Sequence, residues 1–201
     1  MVVIASESAA AGAVRFADVV AQIERFPWHG SLSVRQVGSP QRIAPHGYAL
    51  EADILNADTC TGDGRLVLLH DPAGHEEWGG TFRLISYTRA ALDHEMATDP
   101  LLAEVGWSWV LEAFVDQDAT YAALAGTVTC VTNTTFDAKG AQPVAADVEI
   151  RASWTPLLGA RPDIRPHLRA WQQLLYQVSG VPLLPQGLTS LPIDQTRDLI
   201  P

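Results

Sequence analysis

From Asp99 to Phe114 the chain reads Asp-Pro-Leu-Leu-Ala-Glu-Val-Gly-Trp-Ser-Trp-Val-Leu-Glu-Ala-Phe, and no other stretch restricts the fold as much. Asp99 offers an N-capping oxygen, Pro100 suits the first helical position, and apolar side chains then fall on nearly every face. A helix apolar all round has to be covered by other elements. The stretch therefore predicts a largely buried central helix, with strands wrapped round it or laid against it.

The remaining sequence supplies such strands. Leu32 to Val37 reads as a short strand closed by a Gly38-Ser39-Pro40 turn. Between Tyr48 and Leu55 apolar residues alternate with Glu51 and Asp53, the pattern of a half-buried strand. A polar turn over 56–64 leads to Arg65–His70, apolar on both faces, then a loop over 71–80 and a strand from Thr81 to Tyr87. Arg89 to Ala97 predicts a short helix. Ala125-Gly126 breaks the pattern before a threonine- and valine-rich strand from Thr127 to Phe136. Asp147 to Trp154 alternates cleanly. Two amphipathic helices flank these strands: one carries Ala13, Phe16, Val20 and Ile23, with Ser8 as cap and Pro27 as stop. The other carries Ile164, Leu168, Trp171, Leu175 and Val178, with Gly180 as stop. Prolines 182, 185 and 192 impose an extended tail, flexible over 193–201. Short turns between consecutive strands imply antiparallel pairing. The predicted class is α+β, a mostly antiparallel sheet of roughly five to seven strands with helices on one face. No repeat or low-complexity linker divides residues 1–201, so one domain is expected, with its core over 13–192.

Composition narrows the function classes. The 201 residues carry 23 acidic against 13 basic side chains, a formal net charge of −10. That field repels phosphate backbones and anionic membranes, so neither nucleic acid nor membrane is expected as a direct partner. The N-terminal Val2-Val3-Ile4 lacks the basic flank and length of a signal peptide, and no run is long enough to span a bilayer. The expected location is the cytoplasm. In that setting Asn133-Thr134-Thr135, although it fits a glycosylation pattern, carries little meaning. Cys60 and Cys130 read as free thiols, with no metal-ligand spacing near either. No phosphate loop, dinucleotide fingerprint or zinc motif is present, and no cofactor or metal is expected.

Four constellations remain. Ser108, framed by Gly106, Trp107 and Trp109 and followed by Asp163 and His167, has the chain order of a hydrolase triad. However, it lies mid-helix, and valine stands where the nucleophile elbow needs glycine. His70, Asp71, His75, Glu76 and Glu77 lie in one loop after a strand. Asp71-Pro72-Ala73-Gly74 is itself a good turn sequence, which is the first reading. An acid/base site of His70, Asp71 and Glu77 is the alternative. Glu51, Asp53, Arg65, Arg83, Glu149 and Arg151 alternate with apolar neighbours and can share the outer face of one sheet. There, cross-strand pairs each contribute about 0.2–1 kcal/mol, while Arg83 and Arg151 could clamp a carboxylate or an acidic peptide. Of six tryptophans, Trp107, Trp109, Trp154 and Trp171 belong to packing, with indole nitrogens on backbone carbonyls. Trp28 and Trp78, both in loops, are the candidates for a partner interface. His29, His46 and His94 are isolated.

Several of these blocks also resemble a known family. They are residues 65–74, Trp78 with Thr81-Phe82-Arg83, Asp99–Leu102 with Val105–Trp109, Gly126–Thr129, and Glu149–Pro156. Together, in order from about residue 13 to 192, they resemble an uncharacterised actinobacterial family known only as the domain of unknown function numbered three thousand. The resemblance implies a single cytosolic domain and, through a neighbouring ribonuclease D-like exonuclease gene, a link to RNA metabolism by context only. It transfers no reaction and no catalytic residue. The sequence reading is thus a non-enzymatic binding or adaptor module for a protein partner, with a small hydrolase or lyase at the His70–Glu77 loop as the alternative.

Overall fold

The computed structural model describes residues 16–56, 59–137, 140–159 and 162–182. Six strands, β1 (Leu32–Val37), β2 (His46–Asn56), β3 (Thr59–His75), β4 (Gly80–Leu92), β5 (Tyr121–Asp137) and β6 (Gly140–Pro156), form one sheet in the order β1-β2-β3-β4-β6-β5. Every neighbouring pair is antiparallel. The described helices are α1 (16–24), α2 (His94–Ala97), α3 (Leu102–Asp116) and α4 (Arg165–Ser179). The expected α+β class is the observed one.

Alternation divides the sheet into two faces. Leu32, Leu50, Ile54, Leu66, Leu68, Leu84, Val148, Ile150 and Trp154 share one buried cluster with Val19 and Ile23 of α1 and with residues of α3 and α4. The helix at its centre is α4, which buries His167, Leu168, Ala170, Trp171, Leu174, Leu175, Tyr176 and Val178. At about 1.5–3 kcal/mol for each large apolar side chain removed from water, this helix is the main anchor of the layer.

The buried central helix expected at Asp99–Phe114 is therefore a misplacement. Helix α3 buries Leu102, Gly106, Val110, Ala113 and Phe114, yet Val105, Leu111 and Val115 are exposed, Val115 at 76%. A count of apolar residues does not separate a helix enclosed by two layers from one that leaves an apolar stripe in solvent. Asp99 accepts the Leu101 amide with its carboxylate at 2.8 Å and the Leu102 amide with its carbonyl, an Asx turn ahead of a helix that starts at Leu102.

Pairing overrides three other local readings. Arg89–Leu92 extends β4 by pairing with residues 146–149 of β6, so only His94–Ala97 is helical. Gly62 and Gly64, read as turn residues, lie inside β3. A Cβ at Gly64 would stand 2.5 Å from Leu175 Cδ2, so glycine is what lets α4 approach the sheet. Gly126, read as a break, lies inside β5, where a Cβ would collide with the Arg151 carbonyl and the Trp107 ring. The loop over 71–80 is the tip of the β3–β4 hairpin, a 3-10 turn over Glu76–Trp78 closed by Gly79 at φ 64°. The Ser8 cap and the tail from 183 onward lie outside the described residues.

Candidate functional site

The face of the sheet opposite α1, α3 and α4 collects the charges that alternation turns away from the core. Register lines them up in two rows. Arg35, Glu51, Arg65, Tyr87 and Arg151 are successive cross-strand partners from β1 to β6. Asp53, Asp63, Arg89 and Glu149 form the next row. The first row has three arginines to one carboxylate and the second three carboxylates to one arginine, so a basic stripe runs beside an acidic one.

Bonds within and between the rows hold these side chains. Arg35 donates to Asp53 at 2.6 Å and to Glu51 at 2.9 Å, and its pKa is raised by the Asp53 hydrogen bond. Arg65 donates to the Gly38 carbonyl at 2.8 Å and lies 3.8 Å from Glu51. Arg89 donates to Asp147 at 3.0 Å. Arg151 donates to Glu149 at 2.8 Å, with its guanidinium 5.5 Å from the centre of the Tyr87 ring. Exposed pairs of this kind contribute little to stability. Between the rows lies a hollow of about 500 Å³ lined by Arg35, Glu51, Asp53, Asp63, Arg65 and Tyr87. Partial burial raises the Asp63 pKa against the opposing pull of Arg89, and burial followed by Glu149 raises that of Tyr87.

The six alternating residues of the sequence reading do share this face. Arg83 and Arg151, however, do not meet. Arg151 is the partner of Tyr87, four residues along β4 from Arg83, about 13 Å at ~3.3 Å per residue. Arg83 is 9% exposed, and its guanidinium donates to the Ala123 carbonyl at 2.7 Å, Ser153 Oγ at 2.7 Å and Thr155 Oγ1 at 3.3 Å. Desolvation lowers its pKa.

Both loop tryptophans are packed. Trp28 sits edge-on to Phe26 and Trp171 at centroid distances of 4.5 and 5.5 Å. Trp78 is 9% exposed, stacks on His75, and joins Ala49, Val67 and Leu69 in a second small core under the 3-10 turn. Its carbonyl accepts the Thr155 hydroxyl.

His70, Asp71 and Glu77 diverge. His70, on the inner face, is 1% exposed and stacks on Phe82 at 4.3 Å, with Phe16 and His46 beyond; burial and then His46 lower its pKa. Asp71 accepts the Ala73 amide at 2.9 Å, an Asx turn within the turn sequence Asp71–Gly74, and Glu77 is exposed on the 3-10 turn. Ser108, Asp163 and His167 are no closer to a triad. The Ser108 hydroxyl donates to the Val105 carbonyl, Asp163 pairs with Arg165, and buried His167 accepts the Trp154 indole N–H at 3.2 Å. That indole bond goes to an imidazole, not to a backbone carbonyl. Burial lowers the His167 pKa to about 4. Cys60 and Cys130 are free and exposed.

Sequence reasoning missed Arg35, Asp63, Tyr87 and Arg89. Arg35 lay in a strand already recognised; Asp63 and Arg89 were hidden by the turn and helix readings. Extending the 46–56 and 59–75 hairpin in register pairs Asp63 with Asp53, and carrying the register on to β4 pairs Arg89 with Asp63.

No helix among the described residues is long and apolar enough to cross a membrane. No curated protein and no solved structure matches the chain. The profile of one family, described as a protein of unknown function (DUF3000), matches residues 13–189, and the chain belongs to that family.

Proposed function

We propose that this is a cytosolic, non-enzymatic binding module that docks a protein partner on the striped outer face of its sheet. The observation that carries the reading is the pair of charged rows, basic over Arg35, Arg65 and Arg151 and acidic over Asp53, Asp63 and Glu149, on the face opposite α1, α3 and α4. Neighbouring stripes of opposite sign recognise a surface with the converse stripes and reject a uniformly charged one. A phosphate backbone meets repulsion from the acidic row and from the net charge of −10. Any tie to RNA metabolism then runs through the protein partner. The hydrolase alternative draws no support from the diverging His70, Asp71 and Glu77.

The test is affinity capture from the native host with the wild-type chain and with an Arg65→Glu/Arg151→Glu variant. The expected result is a partner held by the wild type, lost by the variant, and weakened by salt. An identical partner set for both proteins, with the variant still folded by circular dichroism, would overturn this reading. Titration with RNA at physiological salt is expected to show no binding.

A further inference from the structure

Among the described residues, strand β5 is an outer edge of the sheet, paired only with β6. Natural edges are kept from pairing by shortness, charge or proline. The opposite edge, β1, has 6 residues and carries Arg35, whereas β5 has 17 residues and no charged side chain from Tyr121 to Phe136. Its far half is barer still. The β4–β6 pairing ends at Leu92 and Ala146, so residues 133–137 and 140–145 project as a two-stranded arm. Such a hairpin is only marginally stable by itself. Near its tip the arm carries Phe136, 78% exposed.

At the other end of β5 lies a groove of about 500 Å³ lined by Phe114, Val115, Ala119, Tyr121 and Leu157, with Asp118 and Thr120 at its polar side, on the helix-bearing face. Phe136 belongs to the same face. Val128 packs under Gly106 of α3, and the irregularity at Asn133/Thr134 takes one step on β5 for two on β6, so the alternation of β5 runs unbroken from Val128 to Phe136.

We propose that two copies of this chain associate through β5, antiparallel about a two-fold axis at Thr129, with Phe136 of each copy seated in the apolar groove of the other. Thr129 is the midpoint of Tyr121–Asp137, so the register of greatest overlap sets Thr129 against its own copy and brings residue 136 to the bulge over Ala122–Ala125, beside Tyr121. Tyr121 and its groove are then where Phe136 arrives. A second copy is the occupant that this edge fits: the surface is isologous, with the groove at one end of β5 and the inserted ring near the other. Two chains each of net charge −10 can meet here because the contact strand carries no charge before its last residue, Asp137. Above the seam, the exposed Leu111 and Val115 lie one and two turns along α3 from Trp107, which covers Gly126, and face the second copy.

Sedimentation of the full chain, with hydrogen exchange on β5, tests the proposal. The expected mass is twice 21.7 kDa, with slow exchange over residues 124–134. Thr129→Lys sets two like charges face to face while leaving each lysine opposite Glu149 within its own sheet, so folded monomer is expected. Phe136→Ser is expected to weaken dimerisation at least about tenfold. If Thr129→Lys lowers the circular dichroism signal, Phe136→Ser, changed at an exposed tip, decides alone. A monomeric wild type at about 100 μM, or a dimer that Phe136→Ser leaves unchanged, overturns the proposal.

Discussion

Arg83 reaches across β6 to bond the carbonyl of Ala123, a residue at φ 48°, at 2.7 Å. The guanidinium joins three strands: it leaves β4, touches Ser153 and Thr155 of β6, and fastens the bulge over Ala122–Ala125 in β5. A buried cation whose hydrogen-bond partners are a carbonyl and two hydroxyls is a fastener. Its removal leaves those acceptors unpaired. Arg83→Met is expected to destabilise the fold by about 1–3 kcal/mol in urea titration. Arg83→Lys is expected to restore little, because one ammonium cannot span the points a planar fork reaches.

Ala123→Gly addresses the same bulge from the backbone. L residues other than glycine meet steric cost at positive φ. The substitution is expected to leave stability unchanged or raise it by up to about 1 kcal/mol, measured as a shift in urea midpoint at constant slope.

Gly64→Ala forces a methyl to within 2.5 Å of Leu175 Cδ2 and 3.3 Å of the Trp171 ring. Both belong to the most buried helix, so overpacking is expected to cost about 1–3 kcal/mol, part of which Leu175→Ala in the same chain would return. Gly30→Ala, with nothing within 4 Å, is the control and is expected to be near neutral.

His167 makes stability depend on pH. Burial holds its folded pKa at about 4 against 6.5 when solvated. Between those values the unfolded chain binds the extra proton, so stability rises with pH there. The full contribution is present above pH 6.5 and is lost as pH falls towards 4, up to about 3 kcal/mol at 1.36 kcal/mol per pKa unit. His70, lowered in the same direction by burial, adds to this slope. Urea titrations at pH 7.5, 5.5 and 4.5 measure the slope, and His167→Gln is expected to flatten it.

Trp78→Ala removes the roof of the small outer core over Ala49, Val67 and Leu69. The expected cost is about 3–5 kcal/mol of stability. A thermal melt distinguishes this from a loss of binding alone.

Where periodicity was strong, the sequence was readable: the alternation over residues 48–55 and 147–154 and the stripe of α4 named strands, helix and faces correctly. It misled where residue type had a tertiary cause. Gly64 and Gly126 have the composition of turns because a helix and an indole come close to the sheet there, which no local window reports. Arg89–Leu92 has helical composition and is held extended by β6, a partner more than fifty residues later in the chain. The shared outer face followed from alternation alone. Its division into a basic and an acidic row did not, since that depends on register between strands. Neither did the burial of Arg83, whose partners on β5 and β6 lie far along the sequence, nor that of Trp78 against Ala49, Val67 and Leu69 of β2 and β3.

The strand order has a consequence for how the chain becomes a protein. The free edge of β4 waits for β6, which is synthesised after α3 and β5 and then lies between β4 and β5. Helix α4, whose Trp171 and Leu175 lie against Gly64, comes later still. A nascent chain released before Pro156 therefore presents an open β4 edge and an uncapped core, and one that stops short of Ser179 lacks its largest apolar contribution. Such topologies put late, long-range contacts last. The vulnerable interval for this protein is translation of its final third, so C-terminal truncations should be met by chaperones or proteases where short N-terminal ones are not.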